Sequence, residues 1–486
     1  MKQVSLDKFL RNYNRAWGAL LCGFCMLMLP FGLAWSDGIR VYSDEHGPDR
    51  KDPATGLAQG GEEESAGNAQ STPLHAPPPN KRAENHLTAQ RDAELALFSK
   101  VVEQEQRLML EKVHVLDEDQ ARDWLTSFIS SQPFNCPLAQ KGQWAEAIIQ
   151  ATLRNDITLS KEIMGLLACI IAIESGFRAD PFAVDRSRGE DMAALLARAE
   201  QELREKAGPL LSVPPIPALY KQYKDRYYPK LLACRTEGEI EVVARSIADD
   251  LKRDSAKLPD FLKSAINKGT EKLVNVVRTK GSMQLNLIRA RQVMKNRGEE
   301  FTDEELVQYM YTLEGGVDVG VAALKPMFVQ YAAYYAAPGD LSWLFFVGMD
   351  YHYGPFSSRN MMEQIRIRDL SGCKIPLDGD FLHYDEDATP QDRDSLTLQA
   401  VKTALPSVSR DDIMKAFLLE KDPHYVYTDL HRTLSEAHRQ KFGETPFAVI
   451  GELWMGQDTQ LKHGIMYRTK AHLNKLDRYL NSVPWD

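Results

Sequence analysis

From Asp92 to the C-terminus, apolar residues recur mostly at helical spacing, and alternating strand patterns are scarce. This periodicity constrains the fold more than any other feature, because stripes repeating every 3.6 residues are buried by packing helix on helix. The expected class is therefore mostly α. Asp92–Val115 carries Leu95, Leu97, Phe98, Val101 and Val102. Asp117 with Gln120 has the form of a capping box opening a helix through Trp124, Leu125 and Phe128. The same spacing predicts helices over 142–154, 160–175, 188–206, 237–252, 258–278, 303–313, 317–336 and 340–350. Further helices are expected around 391–404, 410–420, 428–441 and 470–482, with Asp378-Gly379-Asp380 the clearest turn signal of the second half. No repeat of about 30–50 residues is visible, which sets solenoids aside.

What precedes this helical part reads differently. Lys2, Lys8, Arg11 and Arg15 face a single acid, Asp7, and are followed by an uncharged apolar run from Trp17 to Trp35. At about 1.5 Å per residue such a run approaches the roughly 30 Å hydrocarbon core of a bilayer. Basic residues before it keep the N-terminus cytoplasmic, so everything after Trp35 is expected to be exported. Three readings fit residues 1–36: a retained single-span anchor through 17–35; a signal cleaved before Asp37, where Ala34 and Ser36 supply small residues; or a buried core helix, which the basic leader and polar linker on either side disfavour. Between Glu45 and Arg91 there is no aromatic residue, and Leu57, Leu74 and Leu87 are the large aliphatics. A segment so poor in apolar surface cannot offset its chain entropy, and 37–91 is expected to be a disordered tether.

Composition excludes several classes. The 486 residues are 43% hydrophobic and 26% charged, enough for a sizeable core and too polar for a multi-span membrane protein. A net charge of −9 argues against nucleic-acid binding, which needs a basic face. Six cysteines, two of them (Cys22 and Cys25) inside the apolar run, do not make a disulfide scaffold; Cys169 reads as a core thiol, and pairing among Cys136, Cys234 and Cys373 stays open. His352, His383 and His424 lack metal-ligand spacing, and Asp385-Glu386-Asp387 lacks the glycine and terminal glutamate of an EF-hand loop, so neither a metal nor a cofactor is expected.

The sharpest local feature is Ile170-Ile171-Ala172-Ile173-Glu174-Ser175-Gly176-Phe177. Ile163, Leu167, Ile170 and Glu174 share one stripe, so Glu174 falls at the core-facing end of an apolar helix. A carboxylate there is costly to ionise, and a carboxyl that keeps its proton near neutral pH is what general acid catalysis needs. Gly176 reads as the residue that ends the helix and opens space beside the carboxyl. Periodicity alone favours the plainer reading, a glutamate at a fraying helix end that reaches solvent.

Four segments then follow in a telling order. Glu174-Ser175-Gly176-Phe177 resembles the signature of soluble lytic transglycosylases, whose Glu-Ser-Gly-Phe-type run supplies the catalytic acid. Gly281-Ser282-Met283-Gln284-Leu285 resembles their Gly-x-Met-Gln motif, and Gly315-Gly316-Val317-Asp318-Val319-Gly320-Val321-Ala322-Ala323-Leu324 resembles the helix after it. Asp350-Tyr351-His352-Tyr353-Gly354 occupies the place of their Ala-Tyr-Asn-Ala-Gly motif. The sequence is also similar to a group of bacterial envelope proteins, many of them lipoproteins. In that group the last motif runs on into a Ser-Arg-Asn stretch, here Ser357-Ser358-Arg359-Asn360, and then a leucine-rich Asp-Gly-Asp segment, here Leu377–Leu382.

The resemblance implies a lysozyme-like domain over 160–365, preceded by a helical lead-in over 92–159 and followed by an α-rich extension over 366–486. It implies Glu174 as sole general acid and base, with Ser175, Met283, Gln284, Tyr351 and Tyr353 at a bound glycan. It further implies cleavage of the MurNAc–GlcNAc bond of peptidoglycan. Two departures stand out. About 100 residues (178–280) separate the first two motifs, and His352 and Tyr353 replace an asparagine and an alanine. The insertion or the extension could contact envelope proteins, and a catalytically silent peptidoglycan-binding scaffold is the alternative. Glu314 and Asp350 are the nearby candidates for a second carboxylate.

Overall fold

A computed structural model describes residues 104–482, apart from 106, 112, 133, 135, 184–190, 208–215, 256–269, 271–276, 278, 336–341, 383–394 and 444–459. The apolar run 17–35, the 37–91 tether, nearly all of the helix expected over 258–278, His383 and Asp385–Asp387 lie outside the described residues. No described helix is long and apolar enough to cross a membrane.

The protein is mostly helical, as the periodicity requires. Helix α1 (Glu118–Ser131) opens on the expected box: Gln120 N–H donates to Asp117 at 2.8 Å while Asp117 N–H donates to the Gln120 side chain at 3.2 Å. Then come α2 (Lys141–Arg154) and α3 (Lys161–Glu174), the latter capped by Ser160 and buried from Glu162 through Ile171. Helices α4 (Met192–Ala207), α5 (Ile216–Ala233) and α6 (Glu237–Ser255) fall within 178–280. A minimal hairpin, β1 (Thr279–Lys280) with β2 (Leu285–Asn286), carries Gly281–Gln284 at its turn. There follow α7 (Leu287–Asn296), α8 (Asp303–Met310), α9 (Leu313–Tyr335), α10 (Ser342–Tyr353) and α11 (Ser357–Ser371). The chain continues through α12 (Leu396–Ala404), α13 (Arg410–Phe417), α14 (Asp429–Phe442) and α15 (Gln460–Ser482).

The largest apolar core joins α1, α2, α3, α7, α8, α9, α10 and α15. It therefore draws on residues either side of 160–365: Trp124, Phe128 and Trp144 before it, and Leu473, Leu476 and Leu480 after it. A second core, built on Leu195, Leu196, Tyr227, Ile240, Ile247 and Leu251, lies within 178–280 and unites α4, α5 and α6. A third unites the end of α11 with α12, α13 and α14 around Phe381, Phe417 and Tyr425.

Three helices escape the periodicity argument. Helix α5 contains Pro229 and follows prolines, which read as breakers. Helix α7 is short and mostly polar outside Leu287, Ala290 and Met294. Helix α11 buries Ser357, Ser358, Arg359, Asn360, Glu363 and Gln364, so a search for apolar stripes passes over it.

Candidate active site

Helix α3 ends at Glu174 in the manner its sequence suggests. Ser175 N–H and Gly176 N–H both donate to the Ile171 carbonyl at 3.1 Å, and Gly176 turns left-handed at φ +61°. Phe177 is left-handed too, at φ +59°, a costly conformation for a bulky residue. Its ring is sealed between Phe134 and Trp144, and that packing holds the turn. Ser175 donates to the Ile171 carbonyl at 3.1 Å and accepts the Arg178 N–H at 3.3 Å, so its hydroxyl shapes the turn rather than facing a ligand.

Glu174 itself keeps 18% of its side-chain surface exposed, whereas residues 163–171 of its helix are buried. Its Oε1 lies 2.6 Å from Nδ1 of His352, whose side chain is 3% exposed. Tyr351, the preceding residue, is buried at 8% exposure, and its ring meets the His352 ring edge-on with centroids 5.8 Å apart. Its hydroxyl donates to the Met283 carbonyl. Burial first, and then the negative charge of Glu174, push the Tyr351 phenol well above its ordinary range, with Arg289 opposing; it stays a hydrogen-bond donor.

The Gly281–Gln284 turn explains the glycine-rich helix that resembles its companion motif. Gly281 is left-handed (φ +73°), and a Cβ there would strike the Met310 carbonyl. On α9, a Cβ at Gly316 would meet that same carbonyl and Ser282, and one at Gly320 would overlap the Met283 side chain. Met283 is fully buried against Gly320, so its side chain is core, in place of the expected sugar contact, and its carbonyl serves Tyr351. Asp318, in the same helix, is buried and takes Arg297 at 2.7 and 2.9 Å, Asn155 at 3.0 Å and Tyr309 at 3.0 Å.

Gln284 adopts φ +50°, and its side chain turns toward 178–280: Nε2 donates to Glu237 at 2.9 Å and Oε1 accepts from Thr279 at 2.7 Å. Nearby, buried Lys280 pairs with buried Glu241. Tyr353 packs on Met349, Met361, Met362 and Ile365, and burial pushes its phenol up to about 12. The structure thus brings Glu174, Tyr351 and the Met283 backbone together, directs the Gln284 amide to Glu237, and places Tyr353 on a separate small cluster. Of the candidate second carboxylates, Glu314 is exposed at the start of α9, and Asp350 is fully buried. Asp350 accepts from Ser358 N–H (2.8 Å), Ser358 hydroxyl (2.6 Å) and Tyr331. Burial outweighs these bonds and pushes its carboxyl up to about 6.

The Ser357–Asn360 stretch is structural. Arg359, 1% exposed, donates to Gln330 (3.0 Å) and to the carbonyls of Asp422 (3.1 Å) and Glu420 (2.6 Å), while Asn360 holds the Gly379 carbonyl at 3.1 Å. Gln364 accepts from Gly379 N–H and donates to Asp378, both at 2.9 Å. The Asp-Gly-Asp segment is thereby clamped onto α11.

Two residues at the site went unread in the sequence. His352 stands where the resembling motif has an asparagine, and nothing in its spacing marks it as the partner of Glu174. Thr469, whose hydroxyl lies 3.1 Å from His352 Nε2, comes from α15, more than a hundred residues away. No local signal links it to this site. Among the described residues no group of acidic, histidine or cysteine side chains could hold a metal ion, and Cys136, Cys169, Cys234 and Cys373 are free thiols.

Fold and site define a mostly helical protein with a half-buried glutamate–histidine pair at the end of a core helix. The chain belongs to the family described as protein of unknown function (DUF1615), whose model matches residues 138–456. No curated protein and no solved structure matches it.

Proposed function

We propose that this protein is an exported lytic transglycosylase of peptidoglycan, held at the inner membrane through 17–35 and acting in the periplasm through a lysozyme-like domain over 160–365. The observation that carries the reading is Glu174: a carboxyl at the end of a buried helix, still open to solvent, with His352 on one oxygen. Glu174 protonates the glycosidic oxygen between N-acetylmuramic acid and N-acetylglucosamine as the C1–O bond breaks. The substrate's acetamido oxygen stabilises the developing oxocarbenium ion, a recognised alternative to a second carboxylate. The ionised Glu174 then takes the proton of the muramic 6-hydroxyl as O6 bonds to C1, closing a 1,6-anhydro ring and restoring the acid. No water is consumed. The sealed position of Asp350 and the exposed one of Glu314 favour this one-carboxylate route over hydrolysis.

The hold of Glu237 on Gln284 favours a second reading, a peptidoglycan-binding scaffold of an envelope assembly whose site is silent. In that reading, segments 178–280 or 366–486 contact its protein partners. Incubating the full chain in detergent with purified sacculi separates the two. Release of muropeptides lighter by one water than hydrolysis products supports the transglycosylase; retention on sacculi without release overturns it in favour of the scaffold.

A further inference from the structure

Three helices converge around His352. Glu174 ends α3 and His352 lies at the end of α10, while α15 is drawn against both by missing side chains. A Cβ at Gly165 on α3 would collide with Leu476 of α15, and one at Gly348 on α10 would press on the Thr469 methyl at 3.3 Å. This close approach sets the Thr469 hydroxyl 3.1 Å from His352 Nε2. Both nitrogens of a nearly sealed imidazole are therefore engaged: a carboxyl at Nδ1 and a hydroxyl at Nε2.

We propose that His352 is the positioning residue of Glu174: a neutral imidazole protonated on Nδ1 that donates to Oε1, its tautomer fixed by the Thr469 hydroxyl donating to Nε2. The inference rests on Glu174 being the general acid. A protonated carboxyl carries its proton on one oxygen. With Nδ1–H directed at Oε1, that oxygen is the acceptor and the acidic proton resides on Oε2, free to pass to a glycosidic oxygen. As the proton leaves, charge develops on the carboxylate, and the Nδ1–H bond becomes charge-assisted where the transition state needs it. When O6 of the muramic residue returns a proton, Oε2 receives it and the ring has neither gained nor lost one. The opposite tautomer does the reverse. Nδ1 would then accept the Glu174 proton and Nε2–H would donate to Thr469, holding the acid's proton away from any substrate. The tautomer of one ring thus separates a working acid from a silent one. His352 lies within the residues matched by the family model and Thr469 beyond them, so the third member of the relay is supplied by the C-terminal helix.

The test reads the ring directly. Nitrogen NMR of the full chain in micelles at neutral pH, with the His352 signal assigned by its loss in His352→Asn, should show protonated Nδ1 and an acceptor-type Nε2. A ring protonated on Nε2 alone, or on both nitrogens, overturns the proposal. Thr469→Val should shift the ring toward the Nε2–H form and Thr469→Ser should restore it; an unmoved tautomer removes Thr469 from the relay and overturns that part. On glycan strands, His352→Leu should lower kcat about 10²–10³-fold with KM nearly unchanged. His352→Asn, whose amide N–H falls near the place of Nδ1, should recover most of the loss. Equal losses in both variants, or a loss carried by KM, would reduce His352 to packing. The ring is read without substrate, so a chain that cleaves nothing overturns the proposed function while the tautomer still decides the role of His352.

Discussion

Two polar regions, one on α11 and one at the end of α3, are built on opposite terms. On α11, buried Arg359, Asn360, Glu363 and Gln364 are tied on several sides to carbonyls, amides and side chains of α9, the Asp378–Leu382 segment and the Glu420–Tyr425 turn. At the end of α3, Glu174 has His352 at one oxygen and keeps part of its surface exposed. A saturated network immobilises the chain and offers nothing to a reactant, since every donor and acceptor is in use. A buried-helix carboxyl with an open side can exchange a proton. The density of polar contacts is thus a mark of structure here, and the incomplete shell is the mark of chemistry.

Paired substitutions break this comparison most sharply. Glu174→Gln should remove glycan cleavage altogether, a loss of at least about 10²–10⁴-fold, with an unchanged denaturation midpoint. An active variant would place the acid elsewhere. Arg359→Met should leave the site residues untouched yet cost about 3–5 kcal/mol of stability, because the carbonyls of Glu420 and Asp422 and the side chains of Gln330 and Asn360 lose a common donor inside the core. Denaturant titration gives the answer, and a cost under about 1 kcal/mol would show the network to be redundant.

Gly281→Ala probes the joint between the hairpin turn and α8. The left-handed φ and the collision with the Met310 carbonyl should cost about 2–3 kcal/mol. The displacement should also loosen the Met283 carbonyl from Tyr351, so cleavage falls more than after an equally destabilising change in the 178–280 core such as Ile247→Ala. Equal falls would detach the turn from the site.

Gentler, because it is spread over pH, is the effect of two buried carboxyls that act in opposite directions. Asp350 titrates at about 6 when folded against 3.8 ordinarily. The folded state therefore binds the extra proton between these values, and stability falls as pH rises from about 4 to 6, by about 1.4 kcal/mol per pH unit. Glu363 is also penalised by burial, but His431 and Arg366 overcome this and hold it at about 2 against 4.5. Its stabilisation is complete above 4.5 and is lost as pH falls toward 2. Midpoints across pH should lose the upper slope in Asp350→Asn and the lower slope in Glu363→Gln. Unchanged slopes in either variant would assign them to other groups.

What the sequence alone determined follows from local and periodic physics. Spacing of apolar residues specified the helical class and most helix positions; a side-chain cap marked Asp117, and a glycine marked the end of α3 at Glu174. These depend on residues three or four apart, whose relation is the same in any helix. The rest had no such local cause. Helix α11 hides its buried face because polar residues are interleaved with Met361, Met362, Ile365 and Ile367 there, and their partners arrive from Gln330, Gly379 and Glu420, which no spacing connects. Gln284 was legible as a polar side chain at a tight turn, yet its partner Glu237 is supplied by a helix 47 residues earlier. His352 stood beside an expected site residue, but its two partners come from α3 and from α15, 117 residues on. A carboxyl's chemistry is set by the groups within hydrogen-bond reach of it: α10 brings His352 to Glu174, and glycines on α3 and α10 let α15 bring Thr469 to His352.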